Sequence, residues 1–289
     1  MSRRVADGSR GPDGTDPFLV AASLSGAADA AWARAAAEHV DVALLGGVAL
    51  DSASRAAARD LVARGRSEFL PADPLAFVAD QLDGLADAPV RPGVNVRSAT
   101  PEPVREAAQI CADRGAVCEV NAHCRQPELR AVGCGESLLR EPDRLARYVA
   151  AAAETGATTS VKVRAEVPGV DLVAVAERVA AAGADWLHVD AMDSEAVVGE
   201  VASAIDAAPA SGEETALGDL ILVANNGVRG RKTVAEYAAH GADAVSVGRP
   251  TEDPPVLARV ADAVEAWRRG SLPREAREPE PEPEPEASP

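Results

Sequence analysis

The feature that most constrains the fold of this 289-residue sequence is a repeated alternation of short and long apolar segments. Short runs rich in β-branched residues, typical of buried strands, are followed by longer Ala-rich stretches with apolar residues at helical spacing. The short runs predict eight strands, at Phe18–Ser23, Val40–Leu45, Gly93–Val96, Val117–Asn121, Thr159–Arg164, Trp186–Asp190, Leu220–Asn225 and Ala244–Val247. The longer stretches predict helices, for example at Pro103–Arg114, Asp143–Glu154, Leu172–Ala181, Thr233–His240 and Pro254–Trp267.

This alternation of strand and helix predicts an α/β fold with a parallel sheet and right-handed crossovers. Eight units in about 250 residues favour a closed (β/α)8 TIM barrel, which we expect as a single domain over residues 17–270. An open, doubly wound sheet is the alternative, although the sequence lacks the GxGxxG loop common in such folds. Residues 1–16 are polar and Gly-rich and predict a disordered leader. The Glu-Pro alternation within residues 271–289 predicts a disordered acidic tail.

The chain is strongly acidic, with 46 acidic against 29 basic residues and a formal charge of −17. Such a composition is typical of proteins kept soluble in concentrated salt, so we expect a halophilic protein. It argues against a broad basic face, so we expect no DNA partner, and it lowers the expectation of an RNA partner without removing it. No apolar run approaches the roughly 18 residues of a membrane helix, which favours a cytoplasmic protein with no membrane partner.

One polar segment interrupts the Ala/Val-rich pattern, EVNAHCRQPELRAVGCGESLLREP at Glu119–Pro142. It contains Asn121, His123 and two of the four cysteines. Four cysteines without a CxxC pair do not indicate a disulfide framework or a zinc ribbon. Cys124 is the candidate reactive thiol, and a thiol without a role is the alternative. A zinc site from His123, Cys124 and Cys134 matches no recognised ligand spacing, so we predict no metal.

Polar residues collect at the ends of six predicted strands, where TIM barrels place their active sites. They are Asn95, Asn121, Lys162, His188, Asp190, Asn225, Asn226 and Arg249. Lys162 is the most informative, because the chain has only one other lysine, Lys232. A thin ammonium reaches a planar ligand where a guanidinium would not fit, so we predict that Lys162 binds such a ligand. The alternative is a lysine whose stem packs along the barrel while its head reaches solvent.

Two glycine-containing turns follow the last two predicted strands, Asn226-Gly227 and Gly248-Arg249. In TIM barrels these two loops often bind phosphate through backbone N–H groups, and glycine permits the close approach. Arg249 adds a positive charge. Each turn alone is common in proteins, but together at these two strands they predict a phosphate site.

These motifs together resemble the tRNA-dihydrouridine synthase family of FMN-binding TIM barrels, over about Pro17–Leu257. AASLSGAAD, which contains Ser23, is similar to APMAGVTD, the family's first flavin-contacting loop. VNVRSATPE resembles VQLFGSDPE and places Asn95 at a flavin-binding Gln. The polar segment resembles INxGCPxxxVxxxGxGAxLLxxP and keeps the spacing from Asn121 to Cys124. SVKVR resembles TVKIR, whose lysine touches the isoalloxazine, and ANNGV and GADAVSVGRP resemble the phosphate-site motifs GNGDI and GADGVMIGRG.

The resemblance implies an FMN-dependent oxidoreductase that reduces the C5=C6 bond of uridine in tRNA. Reduced FMN, regenerated by NAD(P)H, would pass a hydride to C6, and Cys124 would protonate C5 as a general acid. Asn121 would orient the substrate or the flavin edge. We expect His123 and Arg125 to lower the pKa of the neighbouring thiol. The remaining cofactor-binding residues implied are Ser23, Asn95, Lys162, Asn226, Gly227, Gly248 and Arg249.

The sequence departs from the family pattern in several places. GCP is replaced by HCR around Cys124, and the strand-six HGRT is replaced by DAMD beginning at Asp190. An Asp at the His position would repel a flavin phosphate. His188, two residues earlier on the same strand face, is predicted to substitute and bind the cofactor. The Asp of NGD is Val228, and the acidic tail follows the barrel where the family has its C-terminal helical RNA-binding domain, so we expect that domain to be missing.

These departures leave two other functions open. One is a flavin-dependent reductase of a small pyrimidine or another enone, similar to the dihydroorotate dehydrogenases. The lost RNA-binding domain and the acidity favour it. The other is a non-catalytic barrel that binds flavin, or nothing, and serves as a scaffold.

Overall fold

A computed structural model describes residues 16–208 and 216–272, and in it eight parallel strands close into a barrel in sequential order. The strands are β1 Phe18–Ala21, β2 Val42–Ala49, β3 Arg91–Arg97, β4 Val117–Asn121, β5 Thr158–Arg164, β6 Trp186–Asp190, β7 Ile221–Asn225 and β8 Ala244–Val247. The predicted (β/α)8 barrel is therefore confirmed, and the open-sheet alternative is wrong. The predicted leader, up to residue 15, and the predicted tail, from residue 273, lie outside the described residues.

Helices surround the barrel. They are α1 Ala30–Ala36, α2 Ser52–Ala63, α3 Pro74–Asp83, α4 Glu102–Ala112, α5 Pro127–Ala131, α6 Pro142–Ala153, α7 Leu172–Ala181, α8 Ala196–Ala207, α9 Arg231–Ala239 and α10 Pro254–Arg268. Short 3₁₀ helices lie at Gly135–Arg140, Ala216–Asp219 and Arg249–Glu252. None of the helices within residues 16–208 and 216–272 is long and apolar enough to cross a bilayer.

Five of these helices have an aspartate at the N-cap position. These capping aspartates are part of the chain's acidic excess. Each accepts hydrogen bonds from backbone N–H groups of the first turn, which otherwise have no partner. The capping residues are Asp29, Asp51, Asp73, Asp171 and Asp253. The helices then bury their apolar faces against the outside of the barrel, where most of the hydrophobic core lies.

The second strand differs most from its prediction. Sequence reasoning ended it at Leu45, before two glycines, but β2 continues through Gly46 and Gly47 to Ala49. Its pairing with β3 shifts register between Gly46 and Val48. Backbone hydrogen bonds need no side chain, so the glycines locally displace the pairing without ending the strand.

The barrel interior is apolar at the amino ends of the strands and polar at their carboxyl ends. A buried apolar layer contains Phe18, Val20, Val42, Leu44, Val117, Trp186, Ile221, Val223 and Ala244, with the Phe18 and Trp186 ring centroids 5.2 Å apart. Alternate residues of a strand face the same side, so β6 continues inward from Trp186 to His188 and Asp190. The same alternation on neighbouring strands builds a polar layer above the apolar one.

Candidate functional site

A cavity of about 390 Å³ opens at the carboxyl ends of the strands. Its volume falls in the range typical of small-molecule sites. It brings together side chains from the loop after β1, from β3 to β5, and from the loop after β4. Five predicted site residues line it, namely Ser23, Asn95, Asn121, Cys124 and Lys162.

A buried hydrogen-bond network connects this cavity to the barrel interior. Asn121 Nδ2 donates to Asn95 Oδ1 (2.8 Å), and Asn95 Nδ2 donates to Glu119 Oε1 (2.7 Å). Glu119 Oε2 lies 2.7 Å from His188 Nδ1, whose Nε2 lies 2.7 Å from Ser246 Oγ. All five residues are almost completely buried. The network therefore ties the residues of the cavity floor to strands on the other side of the barrel.

Glu119 is the charged centre of this network. Burial raises the pKa of its carboxyl, but His188, Lys162 and the hydrogen bond from Asn95 outweigh burial and bring the pKa down to about 2. Burial and Lys162 lower the pKa of His188, so its ring is neutral at neutral pH. An ionised carboxylate only accepts hydrogen bonds, hence His188 donates from Nδ1 and accepts from Ser246 at Nε2.

This arrangement changes the interpretation of His188. The histidine lies inside the barrel, and both ring nitrogens are engaged by Glu119 and Ser246. It does not line the cavity; on the same strand, Asp190 does. The placement therefore gives no support to the prediction that His188 replaces the phosphate-binding histidine of the family pattern.

The loop that carries Cys124 is held by its neighbours. Asn121 Oδ1 accepts from the backbone N–H groups of His123 (3.1 Å) and Cys124 (3.0 Å). The carbonyl of Cys124 accepts from Glu136 N (2.9 Å). Gly135 has φ +65°, and a Cβ there would lie 2.2 Å from that carbonyl oxygen, so glycine is required. Asn121 thus uses both ends of its amide within the protein, to fix the loop and to hold Asn95.

The pKa of the Cys124 thiol lies near neutral pH. Burial raises its pKa, but a hydrogen bond with His123 and the nearby Arg97 guanidinium lower the pKa to about 7. The expected effect of His123 is confirmed. Arg97, on β3, supplies the positive charge that sequence reasoning assigned to Arg125.

His123 also pairs with Asp190. His123 Nε2 lies 2.5 Å from Asp190 Oδ2. Burial lowers the pKa of His123. Its interactions with Asp190 and Cys124 raise the pKa by more than burial lowers it, so the net shift is upward. Burial raises the pKa of Asp190, but His123 lowers it more. The carboxylate of Asp190 is therefore paired with an imidazole whose pKa is raised, which changes the expectation that it simply repels an anion.

Two arginines that sequence reasoning did not single out leave donors without partners in the cavity wall. Arg97 donates through Nη2 to Glu68 Oε2 and Gly47 O, both at 2.6 Å, while its Nε and Nη1 are buried without a partner in the described residues. Arg164 Nη1 donates to Glu136 Oε2 (3.2 Å), and its Nε is likewise unpartnered. A buried donor without a partner costs about 1–3 kcal/mol, so these atoms are suited to a ligand with acceptor groups.

The cavity is positively charged although the chain is acidic. Its lining contains five strong cations, Arg66, Arg97, Arg125, Lys162 and Arg164. It contains two acids, Glu68 and Asp190, and each is paired with a basic side chain of the lining, Arg97 and His123 respectively. A second groove is lined by Arg130 and Arg140 together with small or neutral residues, among them Pro127, which follows the cavity residue Gln126 in the chain. Counting charges along the sequence could not reveal this local excess.

The two turns of the predicted phosphate site border the cavity. Asn226 Nδ2 donates to the carbonyl of Met192, which lines the cavity (2.7 Å). A Cβ on Gly248 would lie 3.6 Å from Leu24, another lining residue. Gly227 and Arg249 are exposed. The role of Asn226, Gly227, Gly248 and Arg249 in binding phosphate stays a prediction.

The zinc alternative finds no set of ligands. Across residues 16–208 and 216–272, no group of three or more His, Cys, Asp or Glu side chains is placed to hold a metal ion. Cys134 is buried, and burial together with Asp51 raises its pKa to about 12. Its thiol therefore stays protonated and acts as part of the packing beneath Cys124.

The side chains beneath the cavity are tightly packed around Gly47. A Cβ at this position would lie 2.6 Å from Asn95 Oδ1 and 2.8 Å from Arg97 Nε, and both side chains are buried. Gly47→Ala is expected to lower the free energy of unfolding by about 1–3 kcal/mol, because neither neighbour can move away freely. Urea unfolding measures the change. Gly230→Ala, where a Cβ meets open space, is the control and should change stability by less than about 0.5 kcal/mol. Equal stability of both variants would contradict the prediction.

Sequence comparison identifies relatives of the chain. Residues 85–278 match the family described as Dihydrouridine synthase (Dus). An uncharacterized protein of Methanocaldococcus jannaschii is 27% identical over 237 residues, which cover 81% of this chain and 89% of the relative. The family match spans more than half of the chain.

Structural comparison shows the barrel in other proteins. A mutant of FabK from Thermotoga maritima has a TM-score of 0.51 at 14% identity, over 81% of this chain and 61% of that chain. The 3-hexulose-6-phosphate synthase of Salmonella typhimurium has a TM-score of 0.50 at 15% identity, over 88% of this chain and 99% of that chain. Identities this low show a shared fold alone.

Proposed function

Because this chain belongs to the dihydrouridine synthase family, we propose that it binds FMN in the cavity and reduces the C5=C6 bond of uridine in tRNA, with NAD(P)H as the reductant. The observation that carries the proposal is that Lys162, Cys124 and the arginines Arg97 and Arg164 all line one cavity of about 390 Å³. That combination offers donors for a flat, acceptor-rich ring and an acid beside it.

The residues present fit FMN. Arg97 and Arg164 line the cavity, and each has buried N–H groups without a partner in the described residues, so acceptor atoms of a ligand could satisfy donors here. Lys162 is only 4% exposed and lines the cavity, so its ammonium is available to a ligand there and not to bulk solvent. Ser23 and Asn95 complete the part that would hold the ring. Gly227, Gly248, Asn226 and Arg249 would hold the phosphate beside the cavity, with backbone N–H groups as donors.

The chemistry that reduced FMN supplies when bound is donation of a hydride to the uracil ring. The chain supplies the proton. Cys124 Sγ–H would donate to C5 of the uracil, and a general acid acts best when its pKa lies near the working pH. The pKa of about 7 satisfies this condition. Asn121 positions the thiol by fixing the backbone of the loop.

The positive charge around the cavity favours an RNA substrate over a free pyrimidine. Arg66 and Arg125 are exposed at the cavity, and Arg130 and Arg140 line the second groove. Arginine side chains are the usual partners of backbone phosphates, and those contacts set the register of a nucleic acid on a protein. A free base would use none of the exposed arginines. A uridine in folded RNA must also be flipped out to enter such a cavity.

Flavin binding is tested with the purified protein, in low and in concentrated salt. The expected result is a yellow protein that releases FMN on denaturation. Lys162→Met should weaken FMN binding, because the ammonium is lost from the cavity wall. Lys232→Met removes the same charge from the exposed start of α9 and should bind FMN as the wild type does. A colourless protein that takes up no added FMN rejects the proposal.

The substrate is tested in a deletion strain. Loss of dihydrouridine from tRNA, restored by the wild-type gene, is the expected result. Unchanged dihydrouridine content rejects the RNA substrate, and turnover of free uridine or a small enone by the yellow protein would assign a small-molecule reductase instead. A yellow protein without either activity would be the scaffold.

A further inference from the structure

Two departures from the family pattern meet in the folded chain. His123 stands before the loop cysteine, and Asp190 stands at the end of β6 in place of the family's histidine. The two positions are 67 residues apart, yet His123 Nε2 lies 2.5 Å from Asp190 Oδ2. Both side chains line the cavity, and they are 29% and 15% exposed. The imidazole therefore bridges β6 and the loop of Cys124.

His123 and Cys124 are adjacent in the chain and line the same cavity, and the backbone N–H groups of both are held by Asn121 Oδ1. His123 also contributes to lowering the pKa of the Cys124 thiol. Because Nε2 is directed at Asp190, Nδ1 is the ring nitrogen left for the sulfur. The order of groups is then sulfur, imidazole and carboxylate, which is the order in which a base is oriented by a third group in nucleophile–base arrangements.

We propose that Cys124, His123 and Asp190 form a proton-relay triad, in which His123 returns a proton to Cys124 after each turnover and Asp190 holds the imidazole for this transfer. The triad rests on the proposed function in one respect only, namely that C5 of the uracil is the atom that accepts the proton from Cys124. In each cycle the S–H bond of Cys124 breaks as a C–H bond forms on the substrate. The thiolate then takes the proton from Nδ1 of the imidazolium, and solvent reprotonates the neutral imidazole, so that each cycle consumes one proton from solution. No electrons are exchanged by these three residues.

Other charged groups around the thiol do not replace this relay. Those that face Cys124 or His123 are Arg97 on β3, Lys162 on β5, Asp190 on β6 and Cys134 below the loop. Arg97 is held by Glu68 in a buried ion pair, and an arginine keeps its charge throughout the working pH range. Cys134 stays a thiol. His123 is therefore the neighbouring imidazole, the side-chain type suited to proton transfer near neutral pH, and it is a positioning residue because it acts through Cys124.

The test measures the thiol and needs neither flavin nor RNA. The rate at which iodoacetamide alkylates Cys124 in the full-length protein is followed against pH, with the labelled cysteine identified by peptide mass. Asp190→Asn should raise the midpoint of this profile by about one pH unit, because the imidazolium that stabilises the thiolate loses its own anion. His123→Gln should raise the midpoint at least as far. Asp193→Asn makes the same change on an exposed side chain of the same loop and should leave the midpoint unchanged.

The outcomes separate the triad from the proposed function. If the midpoints of Asp190→Asn and His123→Gln both equal the wild-type midpoint, the triad is rejected, whatever the protein binds. If one variant does not fold, the other decides. Where tRNA is turned over, Asp190→Asn should lower kcat about tenfold with KM nearly unchanged. A shifted thiol profile in a protein that never binds FMN would support the triad and reject the reductase.

Discussion

Cys124→Ala is expected to lower the rate of uridine reduction by about 10²–10⁴-fold, the contribution typical of a positioned general acid. The substitution removes the Sγ–H group that donates the proton and leaves the cavity wall in place. FMN binding should persist, because Arg97, Arg164 and Lys162 are unchanged. Single-turnover reduction of tRNA by the pre-reduced enzyme isolates this step from regeneration by NAD(P)H.

Cys134→Ala is the matched control for this prediction. Cys134 belongs to the same polar segment but is buried among apolar side chains, and its pKa is raised to about 12. Its removal should reduce stability slightly and leave the single-turnover rate within about threefold of wild type. A Cys124→Ala enzyme with the wild-type rate would show that another group delivers the proton.

The architecture follows from the sequence because period-2 and period-3.6 patterns are local properties. β4, β6 and β8 have the predicted bounds, and the barrel follows from their alternation with helices. β2 was predicted too short because glycine carries no hydrophobic signal, although its backbone pairs like any other. Gly47 has a second role that no local pattern indicates, since its missing side chain makes room for Asn95 and Arg97.

The site was predicted only in part, because most strands were assigned one site residue, whereas the alternation along a strand points two or three side chains inward. Asn95 and Lys162 line the cavity as expected, and the next inward positions on their strands are Arg97 and Arg164. The same spacing placed Asp190 beyond His188. What sequence could not provide is the pairing across strands. Only the fold shows that Asp190 meets His123.

The same limit applies to charge. A sum of −17 describes the whole chain, whereas the capping aspartates face the helix ends and several arginines face the cavity. An acidic surface and a cationic site therefore coexist. For this reason, the composition alone does not decide whether the cavity accepts a polyanionic partner.

Glu119→Gln is expected to lower the free energy of unfolding by about 3 kcal/mol at neutral pH. The carboxylate is completely buried, and its pKa of about 2 lies below the ordinary value of 4.5. Each pKa unit corresponds to about 1.4 kcal/mol of interaction that favours the ionised form in the folded state. Glutamine keeps the shape and can still accept a hydrogen bond, but it removes a buried negative charge that interacts favourably with Lys162. Urea unfolding followed by tryptophan fluorescence measures the difference.

The pH dependence identifies the cause. A depressed folded-state pKa means that the stabilisation by Glu119 is fully present above about pH 4.5 and is lost as the pH falls towards 2. The stability difference between wild type and Glu119→Gln should therefore shrink over this range. Glu106→Gln, on the exposed face of α4, should change stability by less than about 0.5 kcal/mol at any of these pH values. If the Glu119→Gln difference is small at pH 7, or is the same at pH 7 and pH 3, the buried charge is not what holds Asn95, His188 and Lys162 in place beneath the cavity.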